Sequence, residues 1–131
     1  MLPRIVVPPP RPGLDLAAQY RLPQSTAIRA GDYLFLSGML AVDPETGDPL
    51  QGTVTSETHR IFQNLRLVLE STGSALDRLV QVHAMLHDRL EYEILNRVYR
   101  QYVPAGPPAR TVWSVTIAFG FKVQLDAIAL A

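Results

Sequence analysis

The sequence contains no cysteine, which excludes disulfide bonds, thiolate catalysis and cysteine-ligated metal sites. It also lacks an excess of charge of either sign, because 12 basic residues balance 12 acidic ones. A chain without net positive charge has no general attraction for nucleic acids or anionic membranes. No apolar run approaches the roughly 20 residues that a transmembrane helix requires. These absences predict a soluble protein, for which the cytoplasm is the default location.

Motifs for the common catalytic groups are missing as well. There is no glycine-rich phosphate loop with its lysine and no GxSxG nucleophile elbow. His83 and His87 have a spacing that suits a metal on a helix, but in a strand they lie roughly 13 Å apart. We therefore expect neither a metal nor an organic cofactor. Catalysis would then depend on positioned water, backbone groups and a cation, which suffices for low-barrier reactions such as imine hydrolysis or enamine tautomerisation.

The chain has 131 residues, of which 47% are hydrophobic and 18% charged, as expected for one domain with a substantial core. Its first 13 residues hold five prolines and no continuous apolar segment, so they do not resemble a signal peptide. We predict a proline-rich arm over residues 1–20, extended on the surface or across a neighbouring chain, and a single domain over residues 21–131.

Hydrophobic periodicity predicts five strands and two helices. One helix is expected over residues 56–71, where apolar residues recur on one side, with Thr55 or Ser56 as its N-cap and Gly73 as its left-handed stop. The second helix is expected over residues 90–103. The strands are expected over residues 26–30, 33–41, 78–86 (where a helix is the competing interpretation), 111–117 and 122–130. We expect the last two strands to form a hairpin around Phe119 and Gly120.

The resulting order is β-β-α-β-α-β-β, an α+β layer with two helices on one face of a mixed sheet. The strand over residues 33–41 is mostly apolar on both of its faces, yet two helices can cover only one face of the sheet. Exposed apolar surfaces of that size mark interfaces. The pattern therefore predicts a homo-oligomer assembled sheet to sheet.

The residue that points most directly to a ligand is Arg110. Pro107 and Pro108 end the preceding helix, because proline lacks the backbone N–H and clashes with the turn before it. The β-branched and aromatic residues after Arg110 predict a buried strand, so the arginine is expected at the mouth of that strand. A guanidinium there can hold a carboxylate or phosphate through two parallel hydrogen bonds. A surface or inter-subunit ion pair is the alternative interpretation.

In combination and in order, a set of segments resembles the Rid family, the reactive intermediate deaminase or YjgF/UK114 proteins. The resemblance extends from about residue 27 to residue 129. It is carried by Gly31-Asp32-Tyr33-Leu34-Phe35-Leu36-Ser37-Gly38, Asp43-Pro44-Glu45-Thr46-Gly47, Asn64-Leu65, Leu69-Glu70, Leu95-Asn96-Arg97-Val98-Tyr99, Pro108-Ala109-Arg110 and Asp126-Ala127-Ile128-Ala129. It implies a chorismate-mutase-like fold whose second sheet face is buried in a homotrimer, with ligand sites between subunits. It also implies hydrolysis of 2-imino acids, or their enamine tautomers, to 2-keto acids and ammonia, without a metal or cofactor.

The resemblance further implies roles for individual residues. Arg110 would grip the substrate carboxylate, backbone groups at Gly38 and Val112 would line the site, and Asn96 would lie near the cleft on the second helix. Gln124 occupies the position at which deaminases of the family carry a glutamate that orients the attacking water. A neutral amide can position water but cannot accept a proton near neutral pH.

Two further positions differ from the family's deaminases in the part of the site that would position the attacking water. Gln24 follows Pro23 where the family's deaminases have a tyrosine, and Met39 replaces a frequent glutamine. Asp126 lies two residues beyond Gln124, about 7 Å along the strand, and would reach the site only if the strand register shifted. A structural ion pair is the alternative role for Asp126.

The leading functional prediction is therefore deamination of reactive imine or enamine intermediates of small carboxylic acids. A larger substrate, such as an aminomuconate-like enamine, is an alternative within the same class. A trimeric carboxylate-binding protein without catalysis is the alternative from another class, suggested by Gln124 and Gln24. RNA cleavage is the least favoured, because the charge balance is neutral and no basic stripe is present.

Overall fold

The structure is a computed structural model that describes residues 3–131. Met1 and Leu2, the first residues of the predicted arm, lie outside the described residues. The described part forms six strands and three α-helices. They are β1 (Arg4–Val7), α1 (Leu16–Tyr20), β2 (Ala27–Ala30), β3 (Tyr33–Met39), α2 (Val54–Ser71), β4 (Leu79–Leu86), α3 (Tyr92–Tyr102), β5 (Ala109–Ser114) and β6 (Val123–Leu130).

The strands form one mixed sheet in the order β1-β2-β3-β6-β4-β5. Neighbouring strands are antiparallel except β4 and β5, which are parallel and are joined through α3. The pairing of β3 with β6 is irregular between Leu36 and Met39, which is the segment that contains Gly38. The predicted α+β class with two main helices is confirmed, and residues 79–86 form a strand rather than the competing helix.

The two long helices pack on one face of the sheet, with α2 against β3, β6 and α3. Alternation along β6 shows the arrangement, because Leu125 and Ala127 are buried against the helices while Gln124 and Asp126 point to the other face. We call this other face the open face. It leaves large apolar side chains accessible, among them Tyr33, Phe35 and Trp113, each 44% exposed. The predicted uncovered sheet face is therefore present in the chain.

Helix α2 begins earlier than the periodicity predicts. Thr53, rather than Thr55 or Ser56, is the N-cap, because its extended backbone lets its hydroxyl accept a hydrogen bond from the Ser56 N–H at 3.1 Å. The Ser56 hydroxyl in turn accepts from the Thr53 N–H at 3.0 Å, which completes a capping box. At the other end, Gly73 has a φ of +85°, so its predicted role as a left-handed stop is confirmed.

The predicted hairpin of the last two strands is wrong. Strand β5 pairs with β4 alone, at the edge of the sheet, whereas β6 lies between β3 and β4. The connection therefore crosses the end of β4 through a turn at Ala118–Gly120. Both strands are apolar in sequence, so composition does not distinguish the central strand from the edge strand.

The N-terminal segment also differs from the prediction of an arm. Arg4–Val7 pairs antiparallel with β2 and forms the other edge strand of the sheet. Its β-branched residues Ile5, Val6 and Val7 favour this extended pairing. The division of the chain at residue 20 stays a prediction. None of the helices within residues 3–131 combines the length and apolar character needed to cross a membrane.

Candidate active-site cleft

Arg110 lies on β5 at the edge of the sheet and points to the face that carries the helices, since it pairs with the fully buried Val82 of β4. Its Nη2 donates a hydrogen bond to the Tyr92 hydroxyl at 3.1 Å. The guanidinium lies 4.7 Å from the centroid of the Tyr99 ring, close enough for a cation–π interaction. The strand is an exposed edge strand and not the buried one predicted, because β4 covers only one side of it.

Arg110 borders an open cleft of about 640 Å³ between α3, the loop after it and β5. A volume of this size is typical of small-molecule sites. Arg110 forms no ion pair within residues 3–131, so its charge is available to a ligand. The residues that line the cleft are Tyr92, Glu93, Asn96, Tyr99, Arg100, Val103, Pro104, Pro107, Pro108 and Arg110.

Two buried polar atoms border the cleft without a partner. Asn96 donates from Nδ2 to Glu93 Oε1 at 3.2 Å, but its Oδ1 accepts no hydrogen bond from the described residues. The Tyr99 hydroxyl is likewise unpaired among the residues described, although Tyr99 is only 5% exposed. Burial raises the pKa of Tyr99 above its ordinary value, and the charge of Arg110 opposes that rise. Because unpaired buried polar groups are costly, both atoms favour a partner, which a ligand could supply only if the side chains shift toward the cleft.

Gly38 and Gln124 form a second cluster at the irregular pairing of β3 with β6. A Cβ at Gly38 would lie 2.4 Å from Gln124 Nε2, so only glycine leaves room for the amide in this position. Gln24 lines a narrow crevice beside Gly38 and Met39. Gly38, which was predicted to line the site, thus lies next to Gln124 and shares the crevice with Gln24 and Met39, the other positions predicted to affect the handling of water.

Within one chain the two clusters do not meet. Gln124 points to the open face, whereas Arg110 and the half-buried Val112 point to the helix face of β5. Arg110 is in register with Val82, and Gln124 with Met85. Two strand spacings and three residues along the strand separate the two backbones by roughly 14 Å. Each chain therefore carries two half-sites, one with Arg110 and Asn96 and one with Gly38 and Gln124.

Asp126 is paired with His83 on the open face. The His83 Nδ1 and Asp126 Oδ1 atoms are 2.9 Å apart, and the His83 ring contacts Trp113 edge-on. Gln124 and Asp126 share this face at their regular strand positions. The strand register is therefore not shifted toward Gln124, and Asp126 does not take its place.

Sequence reasoning missed several residues of the cleft, namely Tyr92, Glu93, Tyr99 and Arg100. The spacing of some of these residues along the helix could have identified them. Glu93, Asn96 and Arg100 recur at intervals of three and four residues, which places them on one side of α3 with Asn96, the predicted site residue.

Comparison with known proteins gives one consistent result. The sequence profile of the family described as Endoribonuclease L-PSP matches residues 15–131. A RutC family protein of Pyrococcus abyssi is 32% identical over 108 residues, which cover 82% of this chain and 85% of that protein. A chloroplast protein of Arabidopsis thaliana named Reactive Intermediate Deaminase A is 32% identical over 108 residues, 82% of this chain and 58% of its own length. The crystal structure of the yeast protein YEO7 superposes with a TM-score of 0.87 at 29% identity and covers 98% of both chains.

Proposed function

The chain belongs to the Rid family, the YjgF/UK114 proteins, and from that premise we propose that it hydrolyses reactive imines or enamines of carboxylic acids to keto acids and ammonia. Among the relatives, the Arabidopsis protein is named a reactive intermediate deaminase. The observation that carries the proposal is Arg110, whose guanidinium lies at the border of an open cleft and forms no ion pair with any residue from 3 to 131.

Arg110 anchors the substrate carboxylate in this proposal. A bidentate arginine–carboxylate contact is strong and directional, so it fixes the orientation of the neighbouring imine carbon. The guanidinium is held in place before a substrate binds, because it donates a hydrogen bond to Tyr92 and packs against the ring of Tyr99. Such pre-organisation reduces the entropy that binding costs.

Asn96 offers the second contact to the substrate. Its Oδ1 is buried and has no partner among the described residues, so in this proposal a shift of the side chain toward the cleft lets it accept a hydrogen bond from the imine N–H. An imine that donates to Asn96 presents its carbon to the open side of the cleft. This arrangement explains why an asparagine is buried beside an exposed cleft.

The second half-site comes from a neighbouring copy in a homotrimer. Two observations support this step: the open face exposes apolar side chains of several strands, and the backbones of Gln124 and Arg110 lie roughly 14 Å apart within one chain. A heterologous contact between copies joins different patches of the same chain and closes into a ring. Gln124 would then position water through its amide, with the backbone of Gly38 and of Val112 beside it.

A carboxylate-binding protein without turnover is the second candidate function. The observation that favours it is the neutral amide of Gln124, which cannot remove a proton from water. In that case Arg110 would bind keto acids and dicarboxylates, and no ammonia would form.

A deamination assay tests the proposal. 2-Iminopropanoate or 2-iminobutanoate is generated in the presence of semicarbazide, and the fraction diverted from the semicarbazone to free keto acid is measured with wild type, Arg110→Ala and Arg97→Ala. Arg97 is exposed on α3 but does not line the cleft, so it controls for loss of positive charge. We expect diversion by wild type and Arg97→Ala and its loss in Arg110→Ala.

Wild-type protein that diverts no imine contradicts the proposal. Calorimetric titration with keto acids and muconate-like dicarboxylates then decides the remaining alternatives. Binding without turnover of the matching imines supports the carboxylate-binding protein, whereas turnover of the larger enamine alone supports the larger substrate.

A further inference from the structure

The cleft that holds Arg110 also contains a carboxylate, which the water-handling half-site lacks. Glu93 lines the cleft together with Arg110 and Asn96. The proposed reaction needs a group that takes a proton from the attacking water, and Gln124 cannot do so near neutral pH. A carboxylate is chemically suited to that step.

Asn96 fixes the position of Glu93. Its Nδ2 donates to Glu93 Oε1 at 3.2 Å, and Asn96 is only 7% exposed, so the donor itself is held by packing. The two residues are one turn apart on α3, the spacing at which helical side chains meet. Tyr92, the neighbour of Glu93 in the chain, is hydrogen-bonded to Arg110, so the carboxylate and the guanidinium border the same space.

Other acidic groups in this part of the chain are engaged or lie elsewhere. Glu57 is fully buried, and its carboxylate accepts hydrogen bonds from the N–H groups of Gly52 and Lys122 at 3.1 and 2.9 Å. Asp126 is paired with His83 on the open face. Glu91 borders a different depression, beside Lys122. Glu93 is thus the carboxylate that lines the Arg110 cleft.

We propose that Glu93 is the general base and acid of the imine hydrolysis, an inference that rests on the proposed function. Its negative charge stabilises the protonated imine, the form that water attacks. The water oxygen bonds to the imine carbon, the π pair of the C=N bond moves to nitrogen, and Glu93 takes the proton that water releases. The product of this step is a neutral carbinolamine.

The same carboxyl group completes the reaction. Glu93 returns its proton to the amine nitrogen, the C–N bond breaks with its electron pair on nitrogen, and the hydroxyl oxygen forms the carbonyl. The hydroxyl proton passes through Glu93 to ammonia. One iminium ion and one water thus give one keto acid and one ammonium ion, with no oxidant or reductant. Asn96 acts as a positioning residue for the carboxylate.

The test compares Glu93→Gln with Glu91→Gln in the deamination assay. We expect Glu93→Gln to lower kcat by about 10²–10⁴-fold, as for loss of a general base, and to leave binding of 2-oxobutanoate unchanged by calorimetry, because Arg110 is intact. Glu91→Gln removes the same charge outside the cleft and should retain wild-type kcat. Formate added to Glu93→Ala should restore part of the rate, which a purely structural role would not allow.

The outcomes separate this inference from the proposed function. Wild-type protein without deamination of any imine contradicts the proposed function and the inference with it. Wild-type deamination that Glu93→Gln retains at full kcat contradicts the inference alone. Loss of rate in Glu93→Gln together with lost 2-oxobutanoate binding, or without formate rescue in Glu93→Ala, also contradicts it, because the effect is then structural.

Discussion

Arg110 depends on two tyrosines that hold it in different ways. Tyr99 presents its ring face to the guanidinium at 4.7 Å, and Tyr92 accepts a hydrogen bond from Nη2 at 3.1 Å. The contact with the Tyr99 ring tolerates small movements of the guanidinium, whereas the hydrogen bond to Tyr92 fixes the direction in which its N–H groups point. If Arg110 binds the substrate carboxylate, direction matters more than proximity, because bidentate contact requires both N–H groups to be aligned.

Replacement of Tyr92 by phenylalanine tests this role of the hydroxyl. Tyr92→Phe keeps the ring and removes one hydrogen bond to a charged group, worth about 1.5 kcal/mol, so we expect KM for the imine to rise about tenfold with little change in kcat. Tyr102→Phe removes a hydroxyl bonded to His59 at 2.7 Å outside the cleft and is the matched control. An unchanged KM in Tyr92→Phe would show that the rings at positions 92 and 99, whose centroids lie 5.7 and 4.7 Å from the guanidinium, suffice to orient Arg110 without the hydroxyl.

Tyr99 makes the stability of the protein depend on pH in the alkaline range. Burial raises the pKa of its phenol in the folded state above the ordinary value of 10.0. The Tyr99 phenol therefore stays protonated to a higher pH in the folded protein than in the unfolded chain. The contribution of this difference to the free energy of unfolding is fully present below pH 10 and is lost as the pH rises toward the folded-state pKa. Chemical unfolding of wild type and Tyr99→Phe between pH 8 and 11 measures this, with pH 8 as reference. We expect the variant to gain stability relative to wild type only in the alkaline range, and a constant difference would contradict the shift.

The resemblance predicts roles for Arg110 and Asn96, both of which line the cleft, but it does not predict Tyr92 and Glu93, which line it too. The apolar residues of α3, such as Leu95 and Val98, mark its core side and say little about its cleft side. Whether a residue on that side meets Arg110 depends on where β5 lies relative to the helix. That placement is a tertiary property, and local periodicity does not contain it.

Five of the six strands in the described part could be predicted from the sequence, β1 being the exception, whereas the order of the strands in the sheet could not. Alternation and β-branched residues mark β4 and β6 as strands because each strand carries its own pattern. Pairing depends on the whole sheet, and the proximity of β5 and β6 in sequence favoured a hairpin that the fold does not form. The parallel pair β4–β5 places Arg110 at an edge, and this edge is what opens the cleft. The largest error in the predicted topology therefore concerns the element that positions the site.

The capping box of Thr53 and Ser56 stabilises the N-terminus of α2. Thr53→Ala removes the hydroxyl that caps the helix, so we expect the free energy of unfolding to fall by about 1 kcal/mol. Thr55→Ala changes an exposed first-turn residue that makes no capping bond and should have an effect within about 0.5 kcal/mol. Urea denaturation of both variants measures the difference. Equal effects of the two changes would contradict the assignment of Thr53 as the cap.

Assembly of several copies would account both for the open face and for the separation of the two half-sites within one chain. A chain that leaves Tyr33, Phe35 and Trp113 each 44% exposed on one sheet face has an apolar surface that a second copy can bury. Within one chain, Arg110 and Gly38 lie on different strands, β5 and β3, with two strands between them. Assembly through a heterologous contact would cover the face and bring the Arg110 half-site of one copy to the Gly38 half-site of the next.

Complementation between two inactive variants tests this division of the site. Arg110→Ala lacks the anchor, and Gly38→Leu fills the other half-site, because even a Cβ at Gly38 would displace the Gln124 amide. If each site combines two copies, mixing the variants under conditions that exchange subunits should restore activity at about a quarter of the sites, since each intact half comes from half of the chains in a closed ring. Mixing without exchange is the control, with subunit exchange followed by native mass spectrometry. Exchanged mixtures that stay inactive would show that one chain builds its site alone, and the exposed apolar face would then need another explanation.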